Sequence, residues 1–257
     1  MIFGNRKTLI SAAAVLAAIA AWTIVGSLGL TTSLFLPPPQ EILTTTRELL
    51  QNGYRQVPLW GHILVSLARA LVAFAAATLT GVPIGLLMGM FPAFHAVLDP
   101  FVQFLRPLPK LALIPLVIVW FGIGELSKFL LIYLATFLTV VVSAAAAVLS
   151  VKEGRIRAAL ALGVSPYKLF RYVIFPSVLP DLFTGVRVAI GIGWTTLIAA
   201  EMIAANSGLG WMVINASSYL RTDIVMLGIL LLGATGYALD LLLVTVQRLA
   251  VPWMGKD

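Results

Sequence analysis

The stretch RIRAALALGVSPYKLFRYVIFP, residues 155–176, is the least lipid-like part of a chain that is 60% apolar and only 11% charged. Arg155, Arg157, Lys168 and Arg171 fall within it without one acid, together with Gly163, the Ser165-Pro166 pair and a closing Pro176. RIRAALALG has helical spacing, with Ile156, Ala159 and Leu160 on one side. Gly163 adopts a left-handed backbone cheaply, so the helix is expected to stop there. Ser165 then reads as an N-cap and Pro166 as the first position of a second helix. Pro176 is expected to interrupt or kink the chain as it re-enters the membrane. Residues 152–172 thus read as helix, turn, helix between two long apolar runs. Small Ala158, Ala159 and Gly163 leave one surface low and flat, suited to receiving another protein. The competing reading is an interfacial helix whose Arg and Lys hold lipid headgroups.

Working outward, the 257 residues have a mean hydropathy of +1.03. Such a chain has too little polar surface to cover itself in water, so its solvent is the lipid bilayer. Apolar runs near 20 residues match what a helix needs to cross roughly 30 Å of hydrocarbon. A barrel would show short alternating segments instead. Cysteine is absent, which excludes disulfides, thiolate chemistry and soft-metal sites. The net charge of +7 has no soluble basic domain to occupy, so nucleic-acid binding is set aside. The expectation is an all-α membrane protein, a single transmembrane domain over 1–257. Six spans are expected, at about 9–30, 60–90, 98–124, 127–149, 175–205 and 223–248. The charge-free run from Thr8 to Gln40 is too long for a cleaved signal peptide and reads as the first span.

The third span is the least regular, because only LALIPLVIVWFGIG (111–124) is cleanly apolar, a length that also fits a re-entrant segment. Parity favours a crossing. Arg6 and Lys7 precede the first span and the basic 152–171 passage follows the fourth, so an even number of crossings must separate them. With six spans, Arg47, Arg55, Lys128 and Arg221 lie outside, while Arg6, Lys7 and the basic 152–171 passage lie inside. That asymmetry places both termini in the cytoplasm.

Ala77, Gly81, Gly85 and Gly89 recur on one face of the second span, and Gly185, Ala189 and Gly193 on one face of the fifth. Such stripes let helix backbones approach closely, either within the chain or at a subunit interface. Residues 34–53 read as a proline-stiffened entry to an amphipathic helix lying on the membrane.

Ionisable groups at membrane depth are costly and mark function by default. Glu201, just before IAANSGLG, is expected at the outer end of the fifth span. With Asn206 it forms part of a gate or docking loop, or else it is an interfacial carboxylate solvated by water. Arg187 and Asp240 read as a structural ion pair, with a place in the substrate pathway as the alternative. Arg69 is expected to face the outer vestibule. In RPLPK (106–110) two prolines prevent a regular helix; Arg106 and Lys110 beside the break either line a pathway for an anion or simply follow the positive-inside rule. His62 and His95 are isolated and read as interfacial.

The 155–176 passage resembles the Glu-Ala-Ala signature of ATP-binding-cassette importer permeases. The matches are Ala158, Ala159, Gly163, Val173, Phe175 and Pro176, while Arg157 stands at the acidic position. LFLPPPQ (34–40), LALIPLVIVWFGIGELSK (111–128) and GVRVAIGIGWTTLIAAEMIAANSGLG (185–210) are similar to the nitrate/sulfonate/taurine branch of that family. RIRAA (155–159) and VPWMGK (251–256) are most similar to its taurine members. The resemblance implies the type I importer permease fold and a homodimer in the bacterial inner membrane. It implies import of taurine, or alternatively of nitrate, an alkanesulfonate or an aromatic acid. Two ATPase subunits, carrying ATP and Mg²⁺, would dock under Arg155, Arg157, Ala158, Ala159, Gly163, Ser165, Pro166 and Pro176. An extracytoplasmic binding protein would deliver the substrate. The chain has no phosphate-binding Gly-x-x-x-x-Gly-Lys loop of its own, so a non-catalytic subunit without a cofactor is expected. A self-sufficient secondary transporter fits less well, given no inverted repeat, few central carboxylates and the coupling-type loop. An intramembrane enzyme lacks a catalytic constellation.

Overall fold

The structure, a computed structural model, describes residues 2–29 and 31–253. Residues 254–256 of the VPWMGK stretch, and the side chains of Arg6 and Lys7, lie outside the described residues. Helix α1 (Ile2–Ser27) meets the body near its end, where the Trp22 indole donates to the Pro37 carbonyl at 3.1 Å. Helix α2 (Pro39–Asn52) starts with Pro39 in its first turn, where a missing N–H costs nothing. It was expected to lie on the membrane; instead its Ile42, Thr45 and Leu49 are buried against the protein.

Three long helices make the core: α3 (Leu59–Met90), α6 (Glu125–Leu149) and α9 (Phe175–Ala204). Both small-residue stripes are spent inside this trio. A Cβ on Gly81 would sit 2.9 Å from Val140 and one on Gly89 2.5 Å from Val148, so α3 lies directly on α6. A Cβ on Gly185 or Gly193 would overlap Ser143 or Thr136 of α6. These pairings also fix direction. Contacts ascend together along α3 and α6, so those helices are parallel, while α9 runs antiparallel to both.

Because α3 and α6 are parallel, the chain between them must return across the protein. It does so in two pieces, α4 (Pro92–Leu105) and a 3₁₀ turn (Lys110–Leu113) leading into α5 (Ile114–Phe121), bent by 86°. The single span expected at 98–124 is therefore corrected to a broken crossing. The cause is local: Pro107 and Pro109 cannot continue a helix, and the Lys110 ammonium donates to the freed Leu105 carbonyl at 3.3 Å and to that of Arg106. Val102 of α4 packs near the α3 and α6 C-termini, Ile114 and Val117 near the α6 N-terminus.

Helix α7 (Glu153–Ala161) and the short α8 (Pro166–Leu169) form the expected helix-turn-helix. Gly163 has φ +74, and the N–H groups of Gly163 and Val164 reach the carbonyls of Leu160 and Ala159 at 2.9 and 3.3 Å, a complete left-handed cap. Ser165 takes the extended N-cap conformation (φ −66, ψ 155) and Pro166 the first helical turn. Pro176 behaves differently from expectation. Residues Phe170–Ile174 form a π turn, in which the Phe175 N–H reaches back to Phe170, so the helix widens and runs on past the proline without a break. From Pro166 to Ala204 it is long and apolar enough to span the bilayer. Helix α10 (Leu209–Ser218) and α11 (Thr222–Ala250) complete the fold, α11 antiparallel to α9 and buried mostly in its first third. Among the described residues, four uninterrupted helices and the bent pair are long and apolar enough to cross a membrane, while Ala12–Ser27 of α1, where the first of the six expected spans falls, is a shorter apolar helix.

Candidate functional site

Two constellations stand out, one at each end of the helix trio. The first is built where α3 begins and α9 ends. Ser66 and Arg69 are one turn apart on α3, Glu125 and Lys128 one turn apart on α6, and Glu201 lies in the last turn of α9. Arg69 joins them. Its Nη1 donates to Glu201 Oε1 at 2.8 Å and to the Ser207 carbonyl at 2.7 Å, while Nε and Nη2 make a two-pronged contact with Glu125, both at 2.7 Å. Lys128 donates to the same Glu125 at 2.7 Å. Two cations and two carboxylates close a neutral set.

Glu201 is fully buried, with 0% exposure, so a water-solvated interfacial carboxylate is excluded. Beyond Arg69 it accepts from the Gly210 N–H at 2.9 Å and lies 2.8 Å from the Ser66 hydroxyl, which accepts the Leu209 N–H at 2.8 Å. The NSGLG sequence explains why this loop can wrap a carboxylate. Gly208 has φ +118, and a Cβ there would stand 2.5 Å from the Glu201 carboxyl carbon.

His62 extends the cluster. It is buried rather than interfacial, its Nδ1 accepting the Gly208 N–H at 3.1 Å and its Nε2 lying 3.2 Å from the Tyr54 carbonyl. Those partners define a neutral imidazole protonated on Nε2. The ring stacks on Trp211 with centroids 5.7 Å apart, and the Tyr54 hydroxyl donates to Asn215 at 2.8 Å. Burial pushes the Tyr54 phenol above its ordinary pKa, so it remains a donor. Among the described residues, every buried side-chain nitrogen or oxygen has a partner.

Of the residues singled out in the sequence, Arg69 and Glu201 meet here. Asn206 lies on the same loop, exposed and without a side-chain hydrogen bond among the described residues. Arg106 is exposed at the break in the third crossing, and Lys110 caps α4 beside it, apart from the cluster. Arg187 and Asp240 do pair, half-exposed between α9 and α11, Nε and Nη2 meeting the two carboxylate oxygens at 2.9 and 2.8 Å. Sequence reasoning passed over Ser66, Glu125 and the buried role of His62. The usable signals were the i, i+3 pairs Ser66/Arg69 and Glu125/Lys128 at facing helix starts.

The second constellation is the helix-turn-helix. Only Ala159 of α7 is buried, while Leu160, Leu162, Tyr167 and Tyr172 expose apolar surface around the basic residues. Arg157 pairs with Glu153 one turn earlier, both side chains largely exposed. A groove of about 770 Å³ runs beside the unit, lined by Arg155, Ala158, Tyr172, Pro176 and Trp253.

Residues 81–256 match the family described as "binding-protein-dependent transport system inner membrane component". The chain belongs to that family. It is 44% identical over 253 residues to the taurine transport system permease protein TauC of Escherichia coli (strain K12), covering 98% of this chain and 92% of that one. The putative aliphatic sulfonates transport permease protein SsuC of the same organism is 37% identical over 235 residues, covering 91% and 88%. The fold is shared with a chain of the MetNI methionine ABC transporter in an inward-facing crystal form. There the TM-score is 0.58 at 20% identity, over 79% of this chain and 98% of that one. The expected permease fold and family are thus borne out, for a multi-pass membrane protein.

Proposed function

We propose that this chain is the permease subunit of an ATP-driven importer carrying taurine or a closely related sulfonate across the bacterial inner membrane, with both termini in the cytoplasm. The observation that carries the reading is the 44% identity to a taurine permease, sustained over nearly the whole chain. Two copies form the pathway, and ATP with Mg²⁺ binds to separate ATPase subunits. Those subunits dock on the 153–171 unit. Arg155 and Arg157 supply charge there, and Ala158 and Ala159 the flat surface. Gly163, Ser165 and Pro166 hold the turn, and Pro176 sits where the unit joins α9. This is supported by a rigidly capped turn that leaves Leu162 and Tyr167 84% and 73% exposed. Since α8 runs into α9 without a break, a push on the unit is passed along one helix toward Glu201, which biases the two-state equilibrium of the permease.

At the opposite end the binding protein delivers substrate. Arg69 and Glu201 act there as an outer clamp, joining α3, α6 and α9, with Asn206 on the rim that the binding protein meets. Arg106 and Lys110 border the broken crossing on the cytoplasmic side. The test is reconstitution of the chain with its ATPase and binding protein in proteoliposomes. Taurine-loaded binding protein should stimulate ATP hydrolysis and uptake of labelled taurine. Stimulation by nitrate, bicarbonate or an aromatic acid without stimulation by taurine overturns the substrate assignment.

A further inference from the structure

Arg187 and Asp240 present a physical puzzle. Arg187 lies 12 residues after Phe175 and 17 before Ala204 on α9, about 18 and 25 Å from its ends, hence near mid-membrane. The side chains are nonetheless 34% and 44% exposed. Lipid cannot satisfy a half-exposed ion pair at that depth, so this face of α9 and α11 borders water or protein.

The pair lines a cavity of about 210 Å³ that is otherwise apolar, walled by Ile190, Gly191, Trp194 and Gly236. A second cavity of about 330 Å³ shares Arg187 and continues toward the α7 end past Thr184, Gln247 and Pro252. Arg187 therefore stands where a mid-membrane chamber opens into a more polar one. A Cβ on Gly191 would meet no atom within 4 Å, so this glycine leaves space in the chamber without a packing reason. Gly236 lies against the Trp194 indole, where a Cβ would come within 3.0 Å of Nε1, and so keeps that ring edge open.

We infer that the Arg187–Asp240 pair is a way-station for a zwitterion, with sulfonate received by Arg187 and ammonium by Asp240. Without substrate the two side chains neutralise each other. An aminosulfonate inserts between them: its sulfonate takes the Nε and Nη2 donors that now face Asp240, and its ammonium takes the freed carboxylate. A neutral pair receives a net-neutral guest, so no charge is stranded. A plain anion such as nitrate or an alkanesulfonate occupies Arg187 but leaves Asp240 without a counter-charge at membrane depth, which disfavours it. The chamber thus reads the amino group as well as the sulfonate, a selectivity within the permease itself. This rests on the importer reading above.

The test compares uptake of taurine and isethionate, which replaces the ammonium with a hydroxyl, in proteoliposomes holding permease, ATPase and binding protein. Asp240→Asn should lower the taurine-to-isethionate uptake ratio roughly tenfold or more, since a site built for a polar group discriminates strongly through it. Gly191→Leu fills the chamber while keeping the ion pair, and should lower uptake of both compounds. Assembly of each variant is checked by co-purification with the ATPase. A purely structural ion pair predicts equal loss of both substrates in Asp240→Asn and no effect of Gly191→Leu; either result overturns the inference. If Asp240→Asn does not assemble, Gly191→Leu decides alone. Wild-type uptake of taurine with unchanged variants sinks this inference only, whereas a wild type that imports no taurine sinks the importer reading and this one together.

Discussion

The two ends of the helix trio treat charge in opposite ways. Around Glu201 four charges are closed on one another, and loop amides, a serine hydroxyl and a histidine complete the set. Around Gly163 the charges stand in solvent, with Arg157 and Glu153 78% and 77% exposed and large apolar side chains beside them. Glu201, Lys128 and Arg69 are 0%, 4% and 10% exposed, with Glu125 at the rim at 66%, and the buried members hold elements together because losing Glu201 strands the rest. An exposed surface whose charges pair in solvent contributes little to stability and leaves its groups accessible. One end is built to be rigid, the other to be met.

The sharpest way to break this contrast is Glu201→Ala. It leaves Arg69, Ser66 and the Gly210 N–H without their common acceptor, and removing one partner of a buried charge pair costs about 3–5 kcal/mol. The expected result is a large drop in melting temperature of the detergent-solubilised protein; an unchanged melt shows that the cluster is not a clamp. Gly208→Ala comes next. It must adopt φ +118 and meets the Glu201 carboxylate, with strain of about 1–3 kcal/mol and a smaller fall in melting temperature. Gly163→Val tests the other end. It is strained at φ +74 but has open space around it, so stability should fall by only about 1–2 kcal/mol. Taurine uptake should fall far more than the melt suggests, while hydrolysis by the bound ATPase continues. A Gly163→Val variant that transports normally shows that the turn is not needed for coupling.

How far the sequence could be read follows the same division. The helix-turn-helix was legible because its signals are local: a left-handed Gly163, an N-cap Ser165 and a first-turn Pro166 need no distant partner. Spans were legible because hydropathy is additive along a helix. The clamp was only half legible. Arg69 and Glu201 are 132 positions apart, and their pairing depends on α3 being parallel to α6 and antiparallel to α9, which no local pattern encodes. His62 looked interfacial for the same reason, since its Gly208 partner is 146 positions away. Pro176 was misjudged in a different way. A proline in an apolar run suggests a kink, but the preceding π turn, which has no sequence signature, gives it room. The Arg187–Asp240 pair was found from sequence because two opposite charges in facing apolar spans have few other partners.

Arg157 allows the finest test. The family signature has an acid at this position; here Arg157 stands there and pairs with Glu153, one helical turn earlier. Arg157→Ala should leave the melting temperature unchanged, because exposed i, i+4 pairs contribute only about 0.3–0.5 kcal/mol. Exchanging the two residues, Glu153→Arg with Arg157→Glu, keeps the intrahelical pair and moves the carboxylate one turn, about 5.4 Å, to the family position. Under the proposed docking, the ATPase subunit already matches the arrangement it meets. The exchanged variant should therefore melt like the wild type yet retain less ATPase on co-purification and show reduced uptake. If retention and uptake both match the wild type, the position of the charge is immaterial, and docking rests on the flat surface of Ala158 and Ala159 and the exposed Leu162 and Tyr167.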